Sequence, residues 1–303
     1  MVPTMLQTFL MYPVCLFSLA LLQSAIFRRV PAVIFAVLFV HGVAPLGPNL
    51  QQPGLPQQAP ASLIITRMAQ IEEQAHARHE HFSYLSEERS TRTGDHLWRE
   101  KVVEAGDGIL RRLLAIDNRP LGPAEAAAED HRIDRLVADP EALQALNEKQ
   151  EEDETHAAQL LKLLPKAFLF SPDGTEQGCT RFAFRPNPKF QPSTYEERVI
   201  HVLEGTISIK EPETRLCRLD ATISQPVEFG FGLLGKVDSG GHFSIQRTQI
   251  DADVWKTSYI SVHIEGRILL LQSFSRDQEV RRSDIVLVPP HLSLSEAARL
   301  SHH

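Results

Sequence analysis

An alternation of bulky apolar residues with glycine is the most suggestive spacing in the chain. The bulky positions are Val227, Phe229, Phe231 and Leu233, and Gly230 and Gly232 lie among the positions between them. Side chains of a strand alternate between its faces, and an interior glycine marks close approach of a backbone or a ligand. The pattern therefore predicts a floor for an acyl chain or a mobile apolar flap. A bulge or the close packing of a helix is the alternative.

Recognised catalytic motifs are missing from the sequence. It contains no Gly-x-Ser-x-Gly, no His-Glu-x-x-His, no Cys-x-x-Cys and no glycine-rich phosphate loop before a helix. A Ser–His–Asp site assembled from distant strands stays open, because such triads are defined by geometry. The sequence favours a non-catalytic protein without a cofactor.

Two polar clusters are interpreted as solvated surface. His76 and His79 can share a helical face, whereas His81 cannot, and no acidic residue completes a zinc-ligand pattern. We therefore predict no metal site. The acidic run at residues 151–154 is also interpreted as solvated, with binding of a divalent cation or a basic partner as its alternative.

The elements that would position such a site begin with one helix and three strands. Leu63, Ile64, Met68 and Ile71 follow helical spacing from Ala61 to about His81. Strand-like segments follow at residues 82–88, 97–104 and 109–116, separated by the turns Arg92–Asp95 and Gly106–Gly108.

Residues 122–164 form a helical insertion. Asp139, Pro140 and Glu141 have the composition of a helix start. The centre of the helix that begins there, residues 147–156, contains no apolar residue, which predicts a solvated bridge or lid.

Period-two patterns dominate from Lys166 onward. Predicted strands begin at Phe168 and continue at residues 179–184, 199–209, 216–223, 243–249, 255–264 and 268–274, with a tight turn at 265–267. The helices before and between the strands favour an α+β fold. Its antiparallel sheet would be strongly curved, an open half-barrel whose concave face is covered by the N-terminal and inserted helices.

The N-terminal residues 1–44 are predicted to be a signal peptide or a membrane anchor. Arg28 and Arg29 precede an apolar run, and small residues follow as far as Ala44. An earlier apolar stretch, residues 6–27, leaves open a later translation start, a transmembrane hairpin or a single span. Each reading places the rest of the chain outside the cytoplasm. Residues 45–60 form a Pro/Gln-rich linker, and residues 61–303 a single domain.

Charge and cysteine content narrow the function further. Two of the 31 basic residues and none of the 38 acidic residues precede residue 45, so the exported part is acidic. Such a surface does not favour nucleic acid, and membrane contact is expected only through the N-terminal segment. Cys179 and Cys217 are predicted to lie two strands apart, about 10 Å by strand spacing, and to be two buried thiols. A disulfide between them is the alternative, because an exported chain enters an oxidising compartment.

The order of elements resembles the periplasmic lipoprotein-carrier superfamily. The resemblance rests on that order and on three segments: Tyr84–Glu88 (YLSEE), Glu204–Ile209 (EGTISI) and Leu216–Leu219 (LCRL). It implies a half-barrel whose helices cover an apolar hollow for lipid chains. Related domains act as envelope stress sensors.

We therefore predict an exported carrier or receptor for a lipid or a lipoprotein acyl chain. The predicted ligand-binding residues are Ile207, Ile209, Leu219, Phe229, Gly230, Phe231, Gly232, Trp255 and Tyr259. One alternative is an envelope sensor or assembly adaptor that binds another protein through the sheet, with the acidic helix meeting a basic partner. A second is a hydrolase with a dispersed triad.

Overall fold

A computed structural model of the protein describes residues 60–144, 147, 161–229, 235–268 and 272–302. The predicted signal or anchor, residues 45–59 of the linker, and the acidic run at 151–154 lie outside the described residues. So do Gly230, Phe231 and Gly232. The predictions made for those residues stay predictions.

Five α-helices of the described residues have defined bounds: α1 Ala61–His76, α2 Pro123–Ala138, α3 Leu164–Ala167, α4 Tyr195–Ile200 and α5 Leu294–Leu300. Residues 140–144 are helical as well. Helix α1 begins at Ala61 as predicted and buries Ile65, Met68, Ala69 and Glu72, which share one helical face. It ends at His76 rather than near His81, and β1 begins at His81.

The described helices include none with both the length and the apolar content needed to cross a bilayer.

The described residues contain thirteen strands. They are β1 His81–Ser90, β2 Trp98–Ala105, β3 Gly108–Ile116, β4 Arg119–Pro120, β5 Phe168–Glu176, β6 Cys179–Pro186, β7 Leu203–Lys210, β8 Arg215–Ile223, β9 Val227–Phe229, β10 Gly235–Val237, β11 His242–Asp251, β12 Val254–Ile268 and β13 Gln272–Val288.

All thirteen strands belong to one antiparallel sheet with the order β4-β3-β2-β1-β13-β12-β11-β8-β7-β6-β5. The short β9–β10 hairpin joins it through the pairing of β10 with β12. The predicted α+β class with a large antiparallel sheet is confirmed, and the sheet is not closed into a barrel. Strand β13 pairs with β1 and thereby joins the first three strands to the C-terminal meander.

Two predicted boundaries in the C-terminal half are wrong. The strand predicted from Val199 begins only at Leu203, because residues 195–200 form α4. Thr194 begins that helix: its hydroxyl accepts a hydrogen bond from the Glu197 amide at 3.1 Å, and the Glu197 carboxylate accepts bonds from Ser193. The competing local signal was therefore a capping box.

The turn predicted at residues 265–267 is part of β12. Gly266 pairs with Phe274 of β13 inside the ladder. A Cβ atom at Gly266 would lie 2.6 Å from Cε1 of the Phe274 ring. This glycine therefore serves close packing within a strand rather than a turn.

The strand register separates the two faces of the sheet. Residues that lie directly opposite one another across successive strands share one face. On one face these residues are Ile207, Leu219, Ile245, Ile260, Val280 and Glu88. We call it the α1 face, because Ile65 and Met68 of α1 pack with Ile207.

Helix α2 packs on the opposite face, which we call the α2 face. Val103 lies opposite Leu110, and Val103 alternates with Val102 and Glu104 of the α1 face. Ile133 of α2 packs with Val103 and Leu110. The prediction that the inserted helices share the face of the N-terminal helix is therefore wrong for α2. The reason is an apolar stripe on that side of β2 and β3.

Cys179 and Cys217 form a disulfide, so the prediction of two buried thiols is wrong. Cys217 is the extra residue of a bulge in β8, between Leu216 opposite Ile209 and Arg218 opposite Ser208. The bulge breaks the regular spacing on which the prediction relied, and the Cα atoms of the two cysteines lie 6.8 Å apart.

Candidate binding face

The α1 face carries a row of apolar side chains across six neighbouring strands. From β6 to β13 the row is Phe182, Ile207, Leu219, Ile245, Ile260 and Val280. Its two ends are buried, whereas Leu219 and Ile245 in the middle are half-buried, as is the neighbouring Phe243. The row is thus covered at both ends and open in its middle.

Helix α1 covers the first end of the row. Ile65 and Met68 belong to one buried cluster with Ile207 and Ile209, and both predicted lining residues are fully buried in it. The protein therefore fills this part of the predicted hollow with its own side chains. Leu219 packs at the border of the cluster and remains half-buried.

The β9–β10 hairpin lies at the other end of the row. Phe229 of β9 is buried in a cluster with Ile260, Val262 and Val280. This places Phe229 against the α1 face, as expected for a lining residue. Its predicted neighbours Gly230, Phe231 and Gly232 lie outside the described residues.

The two remaining predicted residues, Trp255 and Tyr259, lie apart from each other. Trp255 is buried, and the guanidinium carbon of Arg215 lies 6.0 Å from its ring centre. Tyr259 precedes Ile260 in β12 and therefore points to the α2 face, where the guanidinium carbon of Arg281 lies 4.7 Å from its ring centre. Tyr259 consequently does not join the others.

Beyond Val280 the row continues with a polar side chain, that of Glu88 in β1. Arg92, in the turn after β1, donates hydrogen bonds to the carboxylates of Glu88 at 2.6 Å and Glu100 at 2.7 Å. Burial alone would raise the pKa of Glu88, but Arg92 and the Ser90 hydroxyl together hold it below its ordinary value. Two more buried polar residues lie nearby: Ser86 is opposite Glu100, and Gln278 is opposite Ser90. The side-chain hydrogen-bonding atoms of both have no partner.

A second ion cluster lies beside the covered end of the row. Glu72 of α1 accepts hydrogen bonds from Arg215 at 2.9 Å and from the Leu216 amide at 3.0 Å, and it pairs with Arg247. Burial would raise the pKa of Glu72, but Arg247 and Arg215 lower it below its ordinary value. Glu72 is therefore an ionised carboxylate between two guanidinium groups.

Sequence reasoning missed both ion clusters. Helical spacing places Glu72 on the same face as Ile65 and Met68, which was the available signal for a buried carboxylate. In β1 the signal was absent, because polar residues occupy both alternating sets of positions.

The described residues also bear on the metal and triad alternatives. Nδ1 of His263 lies 2.6 Å from Asp277, but the hydroxyl of Ser275 donates to Asp277 and not to the histidine. Within the described ranges no serine hydroxyl bonds a histidine ring nitrogen, and no group of three or more side chains could hold a metal ion.

Comparisons with protein-family models, with curated proteins and with solved structures found no match.

Proposed function

We propose that the protein is an exported, non-catalytic binding protein of the lipoprotein-carrier type that takes up the apolar chain of a lipid or a lipoprotein. The half-buried middle of the apolar row carries this proposal. Leu219, Phe243 and Ile245 adjoin one another on the α1 face between two buried clusters. An apolar chain lying along them would remove this surface from water, which is favourable by about 25 cal/mol per Å².

The contacts of the β11–β12 hairpin support a strongly curved sheet. Ile250 and Val254, at its tip, pack with Phe82, Tyr84 and Val102 of β1 and β2. Strand β13 lies between β12 and β1 in the sheet order. A hairpin that reaches across it favours a sheet that bends toward the α1 face. The proposed half-barrel therefore has α1 on its concave side and α2 on its convex side.

The disulfide supports the proposed location outside the cytoplasm. Bonds such as Cys179–Cys217 form and persist in oxidising compartments and are rare in the cytosol. The proposed N-terminal segment would then act as a signal or an anchor to the inner membrane.

A tryptophan substitution in the open part of the row tests the binding function. Ile245→Trp should fill the space of the apolar chain and reduce lipid retained on the purified protein by about tenfold, because an added ring excludes the ligand sterically. The matched control is Gln246→Trp, the next residue on β11, which points to the α2 face. Native mass spectrometry of full chains released gently from membranes measures retained lipid.

Equal lipid retention in the two variants would contradict the proposed site. A wild-type protein that carries no lipid under these conditions would contradict the binding function itself. Thermal melting of both variants establishes that they are folded.

A further inference from the structure

The cluster around Glu72 contains more positive than negative charge at its buried centre. Arg215 and Arg247 both pair with the single carboxylate of Glu72. The nearby acids Glu80 and Asp253 pair with Arg78, at 3.0 Å and 3.4 Å. The cluster as a whole therefore holds three guanidinium groups and three carboxylates, and the excess of positive charge is confined to its buried centre, where two guanidinium groups share one carboxylate.

Two hydrogen-bond donors of this cluster have no acceptor. Nε of Arg247 and Nε1 of Trp255 are buried without a hydrogen-bond partner, and Trp255 is only 7% exposed. The Arg247 Nη2 atom already donates to the backbone oxygen of Trp255 at 2.8 Å, which holds the two residues together. Guanidinium and indole nitrogens donate but do not accept. A group that binds these two donors must therefore be an acceptor, and the excess of positive charge at the buried centre favours a negative one.

The position of Arg247 connects this cluster with the apolar row. Arg247 follows Ile245 by two residues on β11, so both side chains lie on the α1 face, about 7 Å apart along the strand. The contact of Arg247 with Glu72 of α1 agrees with this placement. A chain lying along β11 over Phe243 and Ile245 would thus have one end beside Arg247.

We propose that the ligand of this face is an acidic amphiphile whose anionic oxygen, of a carboxylate or a phosphate, accepts hydrogen bonds from Arg247 Nε and Trp255 Nε1. This inference rests on the proposed function for the position of the apolar chain. The head-group site rests on separate observations, the two buried donors and the excess of positive charge at the buried centre.

Three probes with the same chain length distinguish the head-group site from the apolar groove. They are dodecanoate, dodecyl phosphate and the neutral dodecanol. Isothermal titration of the full chain should show both anions binding about tenfold or more tightly than dodecanol, because a charged acceptor strengthens both hydrogen bonds. Trp255→Phe removes the indole N–H and keeps an aromatic ring. It should weaken both anions severalfold and leave dodecanol unchanged.

Arg247→Gln should remove most of the remaining preference for the anions. Because its loss also alters the surroundings of Glu72, thermal melting must show that this variant is folded; Trp255→Phe leaves the ion pairs in place and supplies the second test. The matched control is Arg218→Gln, which lies on the α2 face and pairs with Asp220, and which should change no affinity.

Equal affinity for dodecanol and the anions would overturn the head-group site and leave the apolar groove standing. Inorganic phosphate supplies the converse arm. If it binds and Arg247→Gln abolishes its binding while dodecanol does not bind, the anion site stands and the proposed lipid function fails. Absence of binding by all four probes would overturn both.

Discussion

Two buried clusters at opposite ends of the α1 face are built from opposite chemistry although they belong to one sheet. Under α1, the strands β5 to β8 present an apolar cluster in which Ile207 is fully buried. Across the sheet, β1 and β2 bury the carboxylates of Glu88 and Glu100 around Arg92 on the same face. Only the apolar end has a covalent cross-link, Cys179–Cys217, in the described residues.

This difference shows that burial has different consequences at the two ends. Apolar burial under α1 stabilises the fold in proportion to the area removed from water and does not depend on pH. A buried ion pair gains little net stability over apolar residues, but the removal of one partner is costly because the other charge remains buried. A substitution at the polar end should therefore cost more free energy of unfolding, and this cost should change with pH.

The largest effect is expected from Arg92→Met. This substitution leaves the buried Glu88 and Glu100 carboxylates without their shared guanidinium, at a cost of about 3–5 kcal/mol in unfolding free energy. In the wild type the pKa of Glu88 is lowered, so its contribution is present above its ordinary value of 4.5 and is lost as the pH falls through the lower folded value. In the variant, burial raises that pKa, and protonation relieves the penalty.

Urea unfolding near neutral pH and near pH 4.5 measures this change. The gap between wild type and variant should be largest at neutral pH and shrink in acid. The control Arg99→Met removes an arginine that is 51% exposed and 4.0 Å from Glu87, and it should cost less than about 1 kcal/mol. A gap of equal size at both pH values would contradict the interpretation of the polar end.

At the apolar end, Ile207→Ala should lower the unfolding free energy by about 2–5 kcal/mol, through lost burial and a residual cavity. Its cost should be the same at both pH values, since the residues packed around Ile207 are apolar. Leu169→Ala on the edge strand β5 is the control, and a cost of about 0.5 kcal/mol or less is expected because Leu169 is 39% exposed. A strongly pH-dependent cost for Ile207→Ala would remove the contrast between the ends.

The fold was more predictable from sequence where hydrophobic periodicity was strong. Alternation in residues 216–223 and 243–249 located β8 and β11, and helical spacing located the start of α1. The errors arose where a local sequence signal competed with the hydrophobic periodicity. The capping box at Thr194 converted part of a predicted strand into α4, and the bulge at Cys217 brought together two cysteines that regular strand spacing separates.

The candidate site was predictable only as an apolar face. Ile207, Ile209, Leu219 and Phe229 lie on it, but periodicity could not show that α1 covers the first two of them. Tyr259 was assigned to the wrong face of the sheet. The face to which a strand residue points depends on the register, and the register is known only from the pairing of the strands. The ion clusters depend on contacts between residues far apart in sequence, such as Glu72 with Arg215, which a single sequence does not reveal.

The smallest predicted effect lies at an exposed ion pair on the α2 face, His263 with Asp277, whose side chains are 32% and 65% exposed and so provide a reference for both buried ends. The hydrogen bond between His263 and Asp277 raises the pKa of His263 above its ordinary value of 6.5 and lowers that of Asp277 below 3.8. The histidine contribution is present below pH 6.5 and is lost as the pH rises through the raised folded value. The aspartate contribution is present above pH 3.8 and is lost as the pH falls through the lowered folded value.

Asp277→Asn should therefore destabilise the protein most near pH 5.5 and less above about pH 8, and by less than about 1 kcal/mol because Asp277 is 65% exposed. An NMR titration of the His263 ring should show its pKa falling toward the ordinary value in this variant. Glu265→Gln is the matched control: its carboxylate lies farther from the ring, at 3.7 Å, and a smaller fall is expected. An unchanged pKa of His263 in Asp277→Asn would show that this pair is not formed in solution, and the α2 face would then no longer serve as the exposed reference against which the buried Glu88 pair is compared.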